Sequence, residues 1–151
     1  MAAGADQRPH VPVLLDECLG LLEPERGGVF IDCTLGAGGH SRALLQRLPS
    51  DARLLCLDQD ARAHAEAHAS GLAQDARVTL VEGNFEALPA LLSDLGIPCV
   101  DGLLADFGVS SMQLDEAGRG FIFRVDEPLR MVMDQDARID ASDWLAAVDE
   151  K

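Results

Sequence analysis

The chain is poor in positive charge. Its 12 Lys and Arg stand against 26 Asp and Glu, a net charge of −14 over 151 residues. Non-specific grip on a phosphate backbone comes from Lys and Arg contacts, so this composition makes a poor surface for gripping nucleic acid. Any basic contacts to nucleic acid belong to a small local patch, a partner or further sequence. Also lacking is any apolar run near the ~20 residues that span a bilayer. Met1 to Pro9 is short and polar, unlike a secretory or organelle-targeting segment, so no membrane association and a cytoplasmic location are expected. The four cysteines, Cys18, Cys33, Cys56 and Cys99, form no CxxC pair. They read as small apolar residues in a reducing compartment rather than metal ligands or disulfides. His64 and His68 lack the HExxH order of a zinc helix and read as a solvated face. Ser110 and Ser111 sit in no GxSxG elbow, which excludes a serine hydrolase of that type.

What is present is alternation. Pro12 to Leu22 has the spacing of a short amphipathic helix, stopped by Gly27-Gly28. Short apolar runs then follow at Val29–Ile31, Leu54–Leu57, Val78–Val81 and Val100–Ala105, each closed by a polar or acidic residue. Between them lie helical patterns at Ser41–Leu48, Asp60–Leu72 and Phe85–Leu95. Gly108 to Asp140 reads as loop, and Ala141–Val148 begins another helix capped by Asp140 or Ser142. Strand–helix alternation of this kind predicts an α/β fold, a parallel sheet with helices on both faces. The expected fourth strand leaves an unpaired edge through which the chain could self-associate.

Ligands of open parallel sheets bind outside the carboxyl ends of the strands. Each expected strand ends there in a polar or glycine-rich cluster: Asp32–His40, Asp58, Gly83-Asn84-Phe85 and Asp106–Ser111. The turn Gly36-Ala37-Gly38-Gly39 joins a buried strand to a helix, and a helix N-terminus offers free N–H groups to an anionic group. Asp58 closes the second strand, where an acidic residue accepts bonds from ribose hydroxyls; Asp60 fits a helix cap better. Phe85 suits either an adenine ring or the first core position of the next helix. A nicotinamide oxidoreductase would share the turn and Asp58, but the third glycine of GxGxxG is Ser41 here.

These residues resemble the bacterial 16S rRNA (cytosine-N4)-methyltransferase family, RsmH or MraW. The likeness begins at His10-Val11-Pro12-Val13-Leu14-Leu15-Asp16-Glu17 and passes through Gly38-Gly39-His40-Ser41, Asp58-Gln59-Asp60 and Gly83-Asn84-Phe85. It is strongest from Val100 to Ser111 and continues through Gln113-Leu114-Asp115 and Arg119–Arg124. It implies a Rossmann-like fold dependent on S-adenosylmethionine (SAM), with 16S rRNA in the small ribosomal subunit as partner. By the same resemblance, Gly38, Gly39 and His40 hold the amino-acid part of SAM, Asp58 the ribose and Phe85 the adenine. Asp106 and Gln113 close the site near the reactive end, and Asp106 is the candidate for orienting the substrate amine.

The chain departs from the family pattern at Phe107, where Leu is usual, and at Met112, where Pro is usual. It departs again at Arg130, usually acidic, and at Val132, usually Arg. Family members are longer, so the expectation is a form truncated after about the fourth strand. The expected divisions are a helical segment (1–27), a SAM-binding half-domain (28–140) and the start of a helical insert (141–151). An inactive SAM-binding or interaction fragment is the alternative.

Overall fold

The computed structural model describes residues 12–148. The opening His10-Val11 of the family resemblance and the end of the 141–151 segment lie outside these residues.

The order of elements is α1 (Leu15–Leu22), β1 (Val29–Asp32), α2 (Gly39–Arg47), β2 (Arg53–Asp58), α3 (Ala61–Ala69), β3 (Val78–Glu82), α4 (Leu88–Asp94), β4 (Gly102–Leu104), α5 (Ser111–Asp115) and α6 (Ala141–Ala147). The four strands form one parallel sheet in the order β3-β2-β1-β4. Successive side chains in a strand face opposite ways, and the apolar runs fill both faces accordingly. Phe30, Leu54 and Cys56 face Leu19 of α1, Leu44 and Leu48 at α2, and Ala63 and Ala67 of α3. Ile31, Leu55 and Leu57 face Ile97 and the partly buried Leu88, Leu91 and Leu92 of α4. Among the described residues, the first face is covered by α1, α2 and α3 with Met112 of α5 packed against it, and the second by α4.

Several expectations are corrected. Cys99 is exposed and Cys18 half-buried, whereas Cys33 and Cys56 lie in the core. Burial pushes the Cys56 thiol up to about 12, which leaves it an inert packing group. His64 is not part of a solvated face: it is buried, with Nε2 3.0 Å from the Asp58 carbonyl, while His68 is exposed. The stretch expected as loop from Gly108 contains α5. That helix is held by a capping box in which Ser110 Oγ accepts from the Gln113 N–H and Gln113 Oε1 accepts from the Ser110 N–H.

Candidate functional site

The strand order places the topological switch point between β1 and β4. From β1 the chain winds outward through β2 and β3, then returns to β4 on the other side of β1. The carboxyl ends of these two strands diverge into a crevice, the usual ligand position of such sheets. Two bonds tie its rims: the Cys33 N–H donates to the Leu104 carbonyl at 2.9 Å, and the Asp106 N–H to Thr34 Oγ1 at 2.7 Å.

The glycine turn after β1 is pinned from several sides. Gly36 (φ 50°) and Gly38 (φ 75°) take the left-handed conformation that glycine adopts freely. The Gly36 N–H donates to Asp58 Oδ2 at 2.8 Å, and Arg42 Nη2 donates to the Ala37 carbonyl at 2.6 Å. Gly38 is the N-cap of α2 and supplies no side-chain acceptor, so the first N–H groups of that helix are left for another partner. Beneath the turn lies Asp32, fully buried. It accepts from Ser41 Oγ at 2.6 Å and from the Thr34 N–H at 3.0 Å. Burial raises the pKa of Asp32 against these lowering bonds. Ser41, the residue in place of a third glycine, is thus built into the core by this bond and by its 3.3 Å contact with Cys56 Sγ.

The expected site residues fall into two groups. Asp58 ends β2, Phe85 and Asp106 follow β3 and β4, and the Gly38-Gly39 backbone forms the start of α2. Asp58 turns one carboxylate oxygen to the Gly36 N–H and the other to the Asp60 N–H at 2.9 Å. Each oxygen keeps a further lone pair. Phe85 is 41% exposed, which corrects its reading as a core residue. Its ring centroid is 5.6 Å from that of Phe107, itself 73% exposed, with the planes tilted by 59°. Edge-tilted pairs of this kind are favourable.

His40 and Gln113 form the second group, because their side chains are already engaged. His40 is buried with Nε2 3.0 Å from the Val13 carbonyl, and a Cβ on Gly39 would stand 2.4 Å from Pro12 Cγ. Both residues clamp the segment before α1. Gln113 is buried, its oxygen in the α5 capping box and its Nε2 2.9 Å from Asp60 Oδ2.

The sequence reading missed one cluster. Asp60 caps α3 through the Arg62 N–H, as its position suggested. It is also buried beneath Arg119, whose Nη2 lies 2.8 Å from Asp60 Oδ2. The same guanidinium reaches the Val132 and Met133 carbonyls at 3.2 and 3.0 Å, and Glu116 at 3.3 Å. Glu116 also pairs with Arg62. The stretch 129–133 is thereby strapped to the end of β2, and Gln59 Nε2 meets Met133 Sδ there at 3.2 Å. Val132, at a position of departure from the family pattern, contributes a main-chain carbonyl that any residue supplies. A groove of about 390 Å³ between α3 and α5 opens beside the same cluster, lined in part by Arg62, Glu66, Met112 and Asp115, and away from the glycine turn.

These carboxylates respond to acid in opposite ways. Burial pushes Asp60 up, but the bonds from Arg119 and Gln113 outweigh it and hold the group below its usual range. Its stabilisation is therefore complete above the ordinary carboxylate pKa and is lost as pH falls through the lowered one. Asp32, with a raised pKa, opposes folding when ionised and gains from protonation. The strap is thus expected to open on acidification before the sheet melts. The single tryptophan, Trp144, lies on α6, whose Ala141 and Ser142 N–H groups bond the Arg130 and Leu129 carbonyls. Its emission should change at a higher pH than the far-ultraviolet circular dichroism does, and coincident transitions would refute the order.

A family model described as the MraW methylase family matches residues 7–151. The ribosomal RNA small subunit methyltransferase H of Thiobacillus denitrificans is 49% identical over 142 residues, covering 94% of this chain and 45% of that protein. The protein of the same name from Neisseria meningitidis serogroup C is 43% identical over 149 residues, covering 99% and 45%. The chain therefore spans a little under half the length of the curated relatives it matches. Among solved structures, a Klebsiella pneumoniae protein assigned as an O-methyltransferase aligns with a TM-score of 0.53 at 24% identity. It covers 67% of this chain and 46% of the other, a likeness of fold alone. The match along nearly the whole chain, on a parallel sheet with its crevice at the β1–β4 switch point, shows that the chain belongs to the MraW methylase family.

Proposed function

We propose that this chain carries the SAM-binding half of a methyltransferase that acts on the N4 amine of a cytidine in small-subunit rRNA. The observation that carries the reading is the Asp58 carboxylate. It is pinned by the Gly36 and Asp60 N–H groups, with lone pairs left over, beside an uncapped helix N-terminus. That set suits the cofactor part by part. The uncapped N–H groups at Gly39 and His40 suit its carboxylate. Asp58 suits the ribose hydroxyls, and the Phe85 face the adenine. Gln113 acts in this reading through Asp60 and α5 rather than by direct contact.

When bound, SAM supplies an electrophilic sulfonium methyl. A cytosine amine is a weak nucleophile because its lone pair is delocalised into the ring. The protein's main tool is therefore orientation, worth up to ~7–11 kcal/mol in favourable cases. Asp106 is the acceptor we assign to the amine hydrogens; its position is fixed by the bond from its own N–H to Thr34. A paired cytidine must be splayed out of its helix to reach such a site. With a net charge of −14, the chain offers few phosphate contacts of its own, so in this reading basic contacts come from a small local patch or from outside these residues.

Calorimetric titration with SAM and with S-adenosylhomocysteine (SAH) tests the reading. Micromolar binding of both is expected, with no heat from NAD. A folded chain that binds neither refutes it.

A further inference from the structure

We infer that Arg119 is a positioning residue for the cofactor site, acting through Asp60 on the carboxylate of Asp58. The inference rests on the SAM reading above and adds to it a residue that touches no cofactor atom. The connection is short. Arg119 Nη2 holds Asp60 Oδ2 at 2.8 Å, and the Asp60 N–H holds Asp58 Oδ1 at 2.9 Å. Asp60 has little freedom of its own, since Gln113 Nε2 and the Arg62 N–H fix the same carboxylate at 2.9 and 3.1 Å. The residue that orients the ribose carboxylate is therefore clamped by groups arriving from beyond β4.

The pair is buried on both sides, Arg119 at 7% and Asp60 at 2% exposure. Removing one partner leaves the other as an uncompensated buried charge, so the site cannot relax by solvation. Arginine suits the task for a geometric reason. Its planar fork sets Nη1 toward Glu116 and Nη2 toward Asp60 and the strap carbonyls at once, whereas lysine brings a single ammonium nitrogen. The guanidinium closes the strap with the same nitrogen that holds Asp60, through the Val132 and Met133 carbonyls. The bonds of the guanidinium are made by its two terminal nitrogens, Nε being buried without a partner. On the site side, Gln59 links Met133 to Asn84, next to Phe85, at 3.2 Å on each side.

The test is a double-mutant cycle on SAH affinity with Arg119→Met, Arg119→Lys, Asp58→Asn and the two combinations. Arg119→Met is expected to weaken SAH by about tenfold and Arg119→Lys by a smaller factor, while in the Asp58→Asn background either change costs less than about twofold. The same loss in both backgrounds would make Arg119 a general stabiliser and overturn the proposal. Hydrogen exchange is read in parallel: in Arg119→Met the Gly36 and Asp60 amides should lose protection while Leu55 and Leu57 keep theirs. If Arg119→Met does not fold, Arg119→Lys carries both measurements. If the unmodified chain binds no SAH, the cofactor reading fails, and exchange alone decides whether Arg119 fixes Asp58. Unchanged protection at Gly36 and Asp60 then overturns that as well.

Discussion

Replacing Asp58 with alanine is expected to abolish measurable SAH binding, a loss of more than about 100-fold, the equivalent of roughly 2.7 kcal/mol. The size follows from the number of partners stranded. Asp58 Oδ2 is the acceptor for the Gly36 N–H and Oδ1 for the Asp60 N–H, both in partly buried positions. A buried donor left without its acceptor costs about 1–3 kcal/mol, and here there are two, besides the bonds to the ligand. The Gly36 bond also spans from the end of β2 to the turn after β1. Losing it frees the segment that presents the first N–H groups of α2. Asparagine is the informative control, because it keeps one carbonyl oxygen but turns an NH₂ toward the other donor. It should fall between the parent and alanine in both affinity and melting temperature. Affinity of the alanine variant within threefold of the parent would remove Asp58 from the site.

The parts that were legible in the sequence are those held by apolar burial. Val29–Ile31, Leu54–Leu57 and Val78–Val81 are unbroken apolar runs because a parallel strand is covered on both faces. All three appear as strands within a residue or so of their expected bounds. The apolar run Val100–Ala105 predicts a longer fourth strand than the Gly102–Leu104 that forms. At the entry end Asp101 makes both bonds to Val29: its N–H donates to the Val29 carbonyl at 2.8 Å, but the Val29 N–H goes to Asp101 Oδ2 at 2.8 Å rather than to a main-chain carbonyl. The helical pattern begins at Ser41, two residues after the helix itself, since Gly38 enters the left-handed conformation and lets α2 begin at Gly39.

What escaped is held by polar bonds to the main chain, which leave no hydrophobic period. Glu127 gathers the N–H groups of Gly118, Gly120 and Ile122, and Arg119 gathers two carbonyls and two carboxylates. Neither device shows in a pattern of apolar residues. The Ser110-x-x-Gln113 box that starts α5 was a usable signal, but only five helical residues follow it. The same distinction divides the site. Asp58, Phe85 and Asp106 stand at strand ends that alternation predicts, whereas the engagement of His40 with Val13 and of Gln113 with Asp60 depends on distant segments.

Substituting valine at Gly102 is expected to destabilise the fold by about 3 kcal/mol, the upper end of the usual cost of overpacking. A propensity argument predicts the opposite sign, since a β-branched residue is favoured over glycine in a strand by up to about 1 kcal/mol. Contacts decide against propensity here. A Cβ at residue 102 would lie 2.6 Å from Cδ1 and Cε1 of Phe30 and 2.9 Å from Leu22 Cδ2. Phe30 is fully buried against α1 and α2, so its ring has no free space to move into. Strain at this point also acts on the site. Gly102 pairs with Phe30 in the β1–β4 register, and Asp106 leaves the same strand to meet Thr34. Pushing β4 away from β1 opens the switch point itself. Leu103, on the opposite face and half-exposed, supplies the contrast: its change to threonine should cost less than about 1 kcal/mol, because little apolar area is lost. Urea denaturation of the two variants measures both values. A Gly102 variant as stable as the parent would show that β4 is not locked to β1 through this contact, and that the crevice is framed by β1 and β2 alone.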